Sequence, residues 1–243
     1  MDAKLNYAIN DYALRGLRDT ADRDYIHARM AYKGKLIPQF RWSALHALEK
    51  YSKCIFILAR VEKPKEKISH EIRRPLDILQ KEIDLKVSDG THYYIKLLED
   101  NYSHLRYFEV SWDIHNTEIA MLDHAVWNIR RYCNTALYKY GTDSNQVLID
   151  YKSSGHLIDF STRSDQNTLI PGGFIEQVLS NRSHPARASL IWINFYYSHV
   201  KRNKIQMPRY VMAENAPFYL YPEAINEVEK YVHIPKHVKN GYK

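Results

Sequence analysis

The strongest constraint on this chain is the run Phe40–Val61 (FRWSALHALEKYSKCIFILARV), where Leu45, Leu48, Ser52, Ile55 and Ala59 recur every three to four residues. That period places them on one face of an α-helix, and Phe56 and Leu58 widen the face. A long helix with so broad an apolar stripe must bury it against other helices, so the run predicts a helical core. Only 8 of the 243 residues are glycine. So few glycines disfavour turn-dense β folds and Gly-rich phosphate loops.

The flanking sequence extends the pattern. The first 20 residues read as a helical or partly ordered lead. Asp22–Tyr32 reads as a helix closed by Gly34, and Ile37-Pro38 as a break. After a solvated Lys63–Lys67 loop, Ser69 is a good N-cap for a helix over His70–Ile83, with Pro75 kinking it or delaying its start. Ser88-Asp89-Gly90 is a turn, and Thr91 caps a helix reaching Tyr102 or Leu105. Val110–Tyr140 reads as one long helix or two with a bend, ended by Gly141. Beyond residue 142 the character changes. Val147–Tyr151 and His156–Phe160 flank Ser153-Ser154-Gly155 as a hairpin. Leu169–Gly173 is a loop, Phe174–Leu179, Pro185–Val200 and Pro222–Tyr231 read as helices, and the tail from Pro235 as frayed. The expected fold is mainly α. It comprises a helical bundle over residues 20–141, with a smaller α-rich part holding a hairpin, residues 142–243, packed on it.

Several functions are disfavoured. No apolar run reaches the 18 residues of a membrane span, and the charged N-terminus lacks the apolar segment of a secretion signal. Cys54 and Cys133 are too few for a disulfide framework and sit in apolar helical patterns, as buried free thiols in a reducing cytoplasm would. His233 and His237 have a helical metal-ligand spacing, but Pro235 interrupts it, so neither metal nor cofactor is expected. The net charge of +7 is spread evenly: residues 1–142 carry 23 Lys+Arg against 19 Asp+Glu, and residues 143–243 carry 12 against 9. An even excess permits a nucleic-acid partner without indicating one. Twenty tyrosines suit packing between helices or at a subunit face, with a minority left to stack on bases.

Particular residues carry a family resemblance. Tyr25-Ile26-His27-Ala28-Arg29 lies on an opening helix, and Trp42 precedes Ala47-Leu48-Glu49-Lys50-Tyr51-Ser52-Lys53. Ser69-His70-Glu71-Ile72 is followed by Leu76 and Leu79, and Leu105-Arg106-Tyr107 comes before the long helix. In this order, from about Tyr25 to Tyr140, the chain resembles the HEPN family (higher eukaryotes and prokaryotes nucleotide-binding). The resemblance implies a bundle of four to five helices, often a homodimer. It also implies a role in binding nucleotide, RNA or a protein partner such as a nucleotidyltransferase or an antitoxin, in a bacterial defence setting.

Some members of that family are metal-independent ribonucleases with an Arg-x4–6-His motif, and Arg41…His46 matches its spacing. His46 would take the 2′-OH proton and Arg41 would steady the phosphorane. Against this, the chain's 12 histidines and many arginines make one such match no more than chance supplies. The motif also sits on an earlier helix than in the family's nucleases, and residues five apart point well away from each other round a helix. A second group, His70, Glu71, Arg106 and Tyr107, falls at the ends of neighbouring helices and would hold a phosphate, or else form a structural salt bridge. The pairs Arg73-Arg74 and Arg130-Arg131 read as solvated helix faces. The favoured function is thus a non-catalytic binding module. The alternatives are a ribonuclease using Arg41 and His46, and a structural dimer without ligand.

Overall fold

One helix runs unbroken from Ala3 to Lys33 and sets the frame. In the computed structural model, which describes residues 3–62, 71–102, 108, 110–140, 147–149, 170–198 and 204–241, it has three stretches. These are α1 (Ala3–Asp11), a π-helical segment (Tyr12–Arg18) and α2 (Asp19–Lys33). The wide segment contains Gly16, where a Cβ would come within 3.1 Å of the Tyr12 ring. α1 buries nothing, whereas α2 buries Tyr25, Ile26, Arg29 and Tyr32 among others. Gly34 ends α2, and Lys35 takes the left-handed conformation (φ 61°) that turns the chain.

α3 (Ile37–Leu58) follows, with Pro38 in its first turn, where the missing N–H costs no hydrogen bond. It runs antiparallel to α2: Ser43 meets His27 (2.7 Å), Lys50 meets Asp24 (2.5 Å) and Tyr51 meets Asp22 (2.7 Å). Leu45, Leu48, Ile55 and Leu58 are all buried, each contributing roughly 1.5–3 kcal/mol. The predicted stripe therefore forms the core. α4 (Arg73–Ile83) begins where Pro75 falls in its first turn, so the proline delays the helix rather than kinking it. The predicted cap, Ser69, lies outside the described residues. The Glu99 carboxylate of α5 (Asp89–Tyr102) instead accepts the N–H groups of Ile72 and Arg73. Ser88, not Thr91, caps α5: its Oγ accepts the Thr91 N–H at 3.2 Å.

The long helix expected over Val110–Tyr140 does not form. Trp112–His115 is a strand, β1, paired antiparallel with a late strand, Val211–Glu214. Its in–out burial alternation, with Trp112 and Ile114 inward, is the period-two signature of a strand. The helix proper, α6, covers only Glu118–Arg130. A 3₁₀ turn at Thr135–Leu137 leads into β2 (Tyr138–Tyr140), which pairs with β3 (Val147–Ile149). The hairpin thus starts earlier than predicted, and its expected second strand, His156–Phe160, lies outside the described residues.

α7 (Phe174–Ser180) matches expectation, but the helix predicted over Pro185–Val200 shrinks to α8 (Arg187–Ile191). Asn194 ends it. Its Nδ2 donates to the Leu190 carbonyl (2.9 Å) and its Oδ1 accepts the Tyr196 and Tyr197 N–H groups, holding a turn in place of helix. The segment Pro222–Tyr231 breaks into a 3₁₀ turn and one helical turn, Ile225–Val228. The molecule is mainly α, with two small antiparallel sheets among the described residues. Both cysteines are buried and free, and burial pushes the Cys133 thiol up. No described helix is long and apolar enough to cross a membrane.

Two buried charge clusters tie these elements together. Arg130 is fully buried rather than solvated. Its guanidinium bonds both Asp22 oxygens (2.7 and 2.8 Å) and both Glu176 oxygens (2.9 and 2.7 Å), joining α6, α2 and α7. Arg131 is buried too, lying 4.5 Å over the Trp127 ring. The second cluster pairs Arg29 with Asp123, and Arg29 also reaches the Ser189 and Trp192 carbonyls.

Asp123 gives a pH signature. Its Oδ1 accepts from Tyr25 Oη (2.7 Å) and Arg29, while its buried Oδ2 has no hydrogen-bond partner. Burial pushes this carboxyl above its ordinary range, against the pull of Arg29 and Tyr25. A carboxyl whose native pKa exceeds its unfolded value binds protons more readily when folded. Its contribution to stability is full below the unfolded pKa of about 3.9 and is lost as pH rises through the native value. Urea unfolding should show wild type losing stability relative to Asp123→Asn as pH rises from about 4. A relative gain would mean that Arg29 overcompensates the burial.

Candidate functional site

A cleft of about 300 Å³ lies where α3, α5, β1 and the start of α6 meet. Its most buried polar members are Arg41 and Glu118. Arg41 Nε and Nη2 bond the two Glu118 oxygens at 2.9 and 2.8 Å, a bidentate fork, and Nη2 also donates to the Asp113 carbonyl at 2.6 Å. Burial works against the Arg41 charge, but the hydrogen bonds and attraction of Glu118 outweigh it and hold the guanidinium above its ordinary pKa. Local structure explains the placement. Arg41 sits in the second turn of α3, and Glu118 opens α6, where a carboxylate suits the positive helix end.

The walls are aromatic and acidic. Tyr93 of α5 is 61% exposed, while its neighbour Tyr94 turns into the core. β1 supplies Trp112 inward and Asp113 and His115 outward, the last two 3.7 Å apart and mostly exposed. Trp112 is 7% exposed, and its buried indole N–H has no acceptor. Tyr94 Oη, likewise buried, has none either. Native structures leave few buried donors unpaired, and each unpaired donor costs about 1–3 kcal/mol. Among the described lining residues the Arg41 charge is matched by Glu118, and Asp113 adds a second carboxylate beside His115.

Arg41 and His46 do not form a joint site. Arg41 faces Glu118 in the cleft, while His46 stands edge-on to Trp42 (4.3 Å between ring centres) with Nδ1 3.5 Å from Glu49. His46 does not line the cleft. Of the second predicted group, Glu71 is exposed, and His70, Arg106 and Tyr107 lie outside the described residues. No group of three or more His, Cys, Asp or Glu among the described residues is arranged to hold a metal. The sequence did not single out Trp112, Asp113 or Glu118 as a site. The alternation of Trp112-Asp113-Ile114-His115 was the available signal, and reading it as helix hid the wall. No family model, curated protein or solved structure matches the chain.

Proposed function

We propose that the protein is a non-catalytic, HEPN-like helical module that binds nucleotide or RNA at the cleft above Arg41 and Glu118. The observation that carries this reading is the occupied state of Arg41. A guanidinium committed to a carboxylate fork has given up the charge that a phosphorane would need, yet it floors an open cleft lined by aromatic rings. Under this reading the chain works as a homodimer, in a bacterial defence setting, beside a nucleotidyltransferase or antitoxin partner. The ribonuclease reading needs Arg41 and His46 at one phosphate, and their separate partners favour it less.

The test is incubation of the purified protein with labelled RNA in EDTA, beside a His46→Ala variant, together with a filter-retention measurement on the same RNA. Retention without cleavage is expected from both proteins. Cleavage by wild type that His46→Ala abolishes would overturn the non-catalytic reading.

A further inference from the structure

We infer that the cleft takes a single nucleobase, from a free nucleoside or unstacked from RNA, and not a phosphate; the inference rests on the nucleotide-binding reading above. Charge argues first. Among the described residues, the one permanent cation lining the interior, Arg41, is spent on Glu118 and on the Asp113 carbonyl, and the Asp113 carboxylate, 3.7 Å from the His115 ring, adds negative charge at the mouth. A phosphate entering there would meet net repulsion. An uncharged base would not, and its exocyclic amine would find an acceptor in Asp113.

Surface shape argues second. Tyr93 presents its ring at the wall with 61% of its surface exposed, in a cleft also lined by the apolar Leu97 and Met121. An aromatic ring left open on the wall of a cleft is a platform for a planar heterocycle. The third argument is the indole of Trp112. It is more than nine-tenths buried on the cleft wall, and its N–H lacks any acceptor among the described residues. A base carbonyl or ring nitrogen is the neutral acceptor that would relieve that cost, after a small shift of the ring to open the N–H to the ligand. The volume of about 300 Å³ suits a base with part of its ribose, at the small end of ligand sites.

Calorimetric titration of the full chain with the four common nucleosides, their 5′-monophosphates, inorganic phosphate and a short single-stranded RNA tests this. At least one nucleoside should bind, its monophosphate should bind no tighter, and inorganic phosphate should not bind. The nucleoside affinity should be unchanged between about 50 and 200 mM salt, where phosphate contacts would weaken it. Tyr93→Ala, at an exposed position that does not endanger folding, should weaken the nucleoside about 5- to 150-fold, the range for loss of one stacking ring. Trp112→Phe, which keeps a six-membered aromatic ring but removes the pyrrole part of the indole and with it the N–H, should weaken it while leaving the circular dichroism unchanged. Tighter, salt-sensitive binding of the monophosphate or of phosphate overturns the inference, as does nucleoside binding indifferent to both variants. RNA binding without nucleoside binding overturns the inference and leaves the module reading standing. Failure of every ligand overturns both.

Discussion

The Arg130→Ala variant is expected to lose about 3–5 kcal/mol of folding free energy, the cost of stripping one partner from a buried ion pair. The Asp22 carboxylate is wholly buried and would keep only the Tyr51 hydroxyl (2.7 Å) and the Ile175 N–H (3.1 Å) as partners. Glu176 would lose both of its bonds to the guanidinium. For a chain of this size the loss corresponds to a fall in Tm on the order of 10 °C. Arg130→Met separates the causes, because it refills the space and still strands the carboxylate. A double variant, Asp22→Leu with Arg130→Met, should recover part of the loss, since a buried pair replaced by apolar groups is often neutral or stabilising. Urea midpoints for the set decide the matter. If Arg130→Ala unfolds like wild type, the cluster contributes nothing net.

The second large effect belongs to Glu118. Glu118→Ala removes both carboxylate contacts from a buried arginine and leaves it only the Asp113 carbonyl. A loss of about 3–5 kcal/mol is expected here too. Glu118→Gln keeps the shape and one acceptor and should cost less. It should also change what the cleft binds. With the counter-charge gone, Arg41 becomes available to an anion, so inorganic phosphate should bind where it did not, and that binding should weaken as salt rises. Equilibrium titration of Glu118→Gln with phosphate at two ionic strengths reads this directly. If phosphate still fails to bind, Glu118 is not what keeps the site closed to anions.

The parts of the fold legible in the sequence are those fixed by local periodicity. The stripe of α3 was visible because Leu45, Leu48 and Ile55 announce one face without reference to any other segment. Both cysteines are buried, although only Cys54 lies on a helix and Cys133 follows the end of α6. Tyrosines behaved as expected on average: Tyr25, Tyr32, Tyr51, Tyr94 and Tyr132 are core, and Tyr93 is not.

What stayed hidden depends on partners distant in the chain. Arg130 reads as a surface residue because nothing near it in sequence shows the carboxylates of Asp22 and Glu176. β1 reads as helix because its partner strand lies about a hundred residues later. The helix over Pro185–Val200 stops for a largely local reason: Asn194 turns the backbone with both ends of its amide, and its Nδ2 also donates to the Tyr25 hydroxyl. The candidate site combined both difficulties. Arg41 stands out in sequence for its spacing to His46, and the carboxylate it contacts lies 77 residues further on.

The connections of Asp22 also have a consequence for the order of assembly. Its carboxylate meets Tyr51, 29 residues away, Arg130, 108 away, and the backbone of Ile175, 153 away. A chain emerging from the ribosome can pair α2 with α3 early, but the Asp22 carboxylate gains its Arg130 and Ile175 partners only after α6 and α7 have been made. The helices form fast, whereas closing such distant segments is slow, because loop entropy is lost before any contact repays it. Maturation is therefore gated by the last third of the chain, and a nascent molecule halted before residue 176 should hold its first two long helices around an open, wet seam.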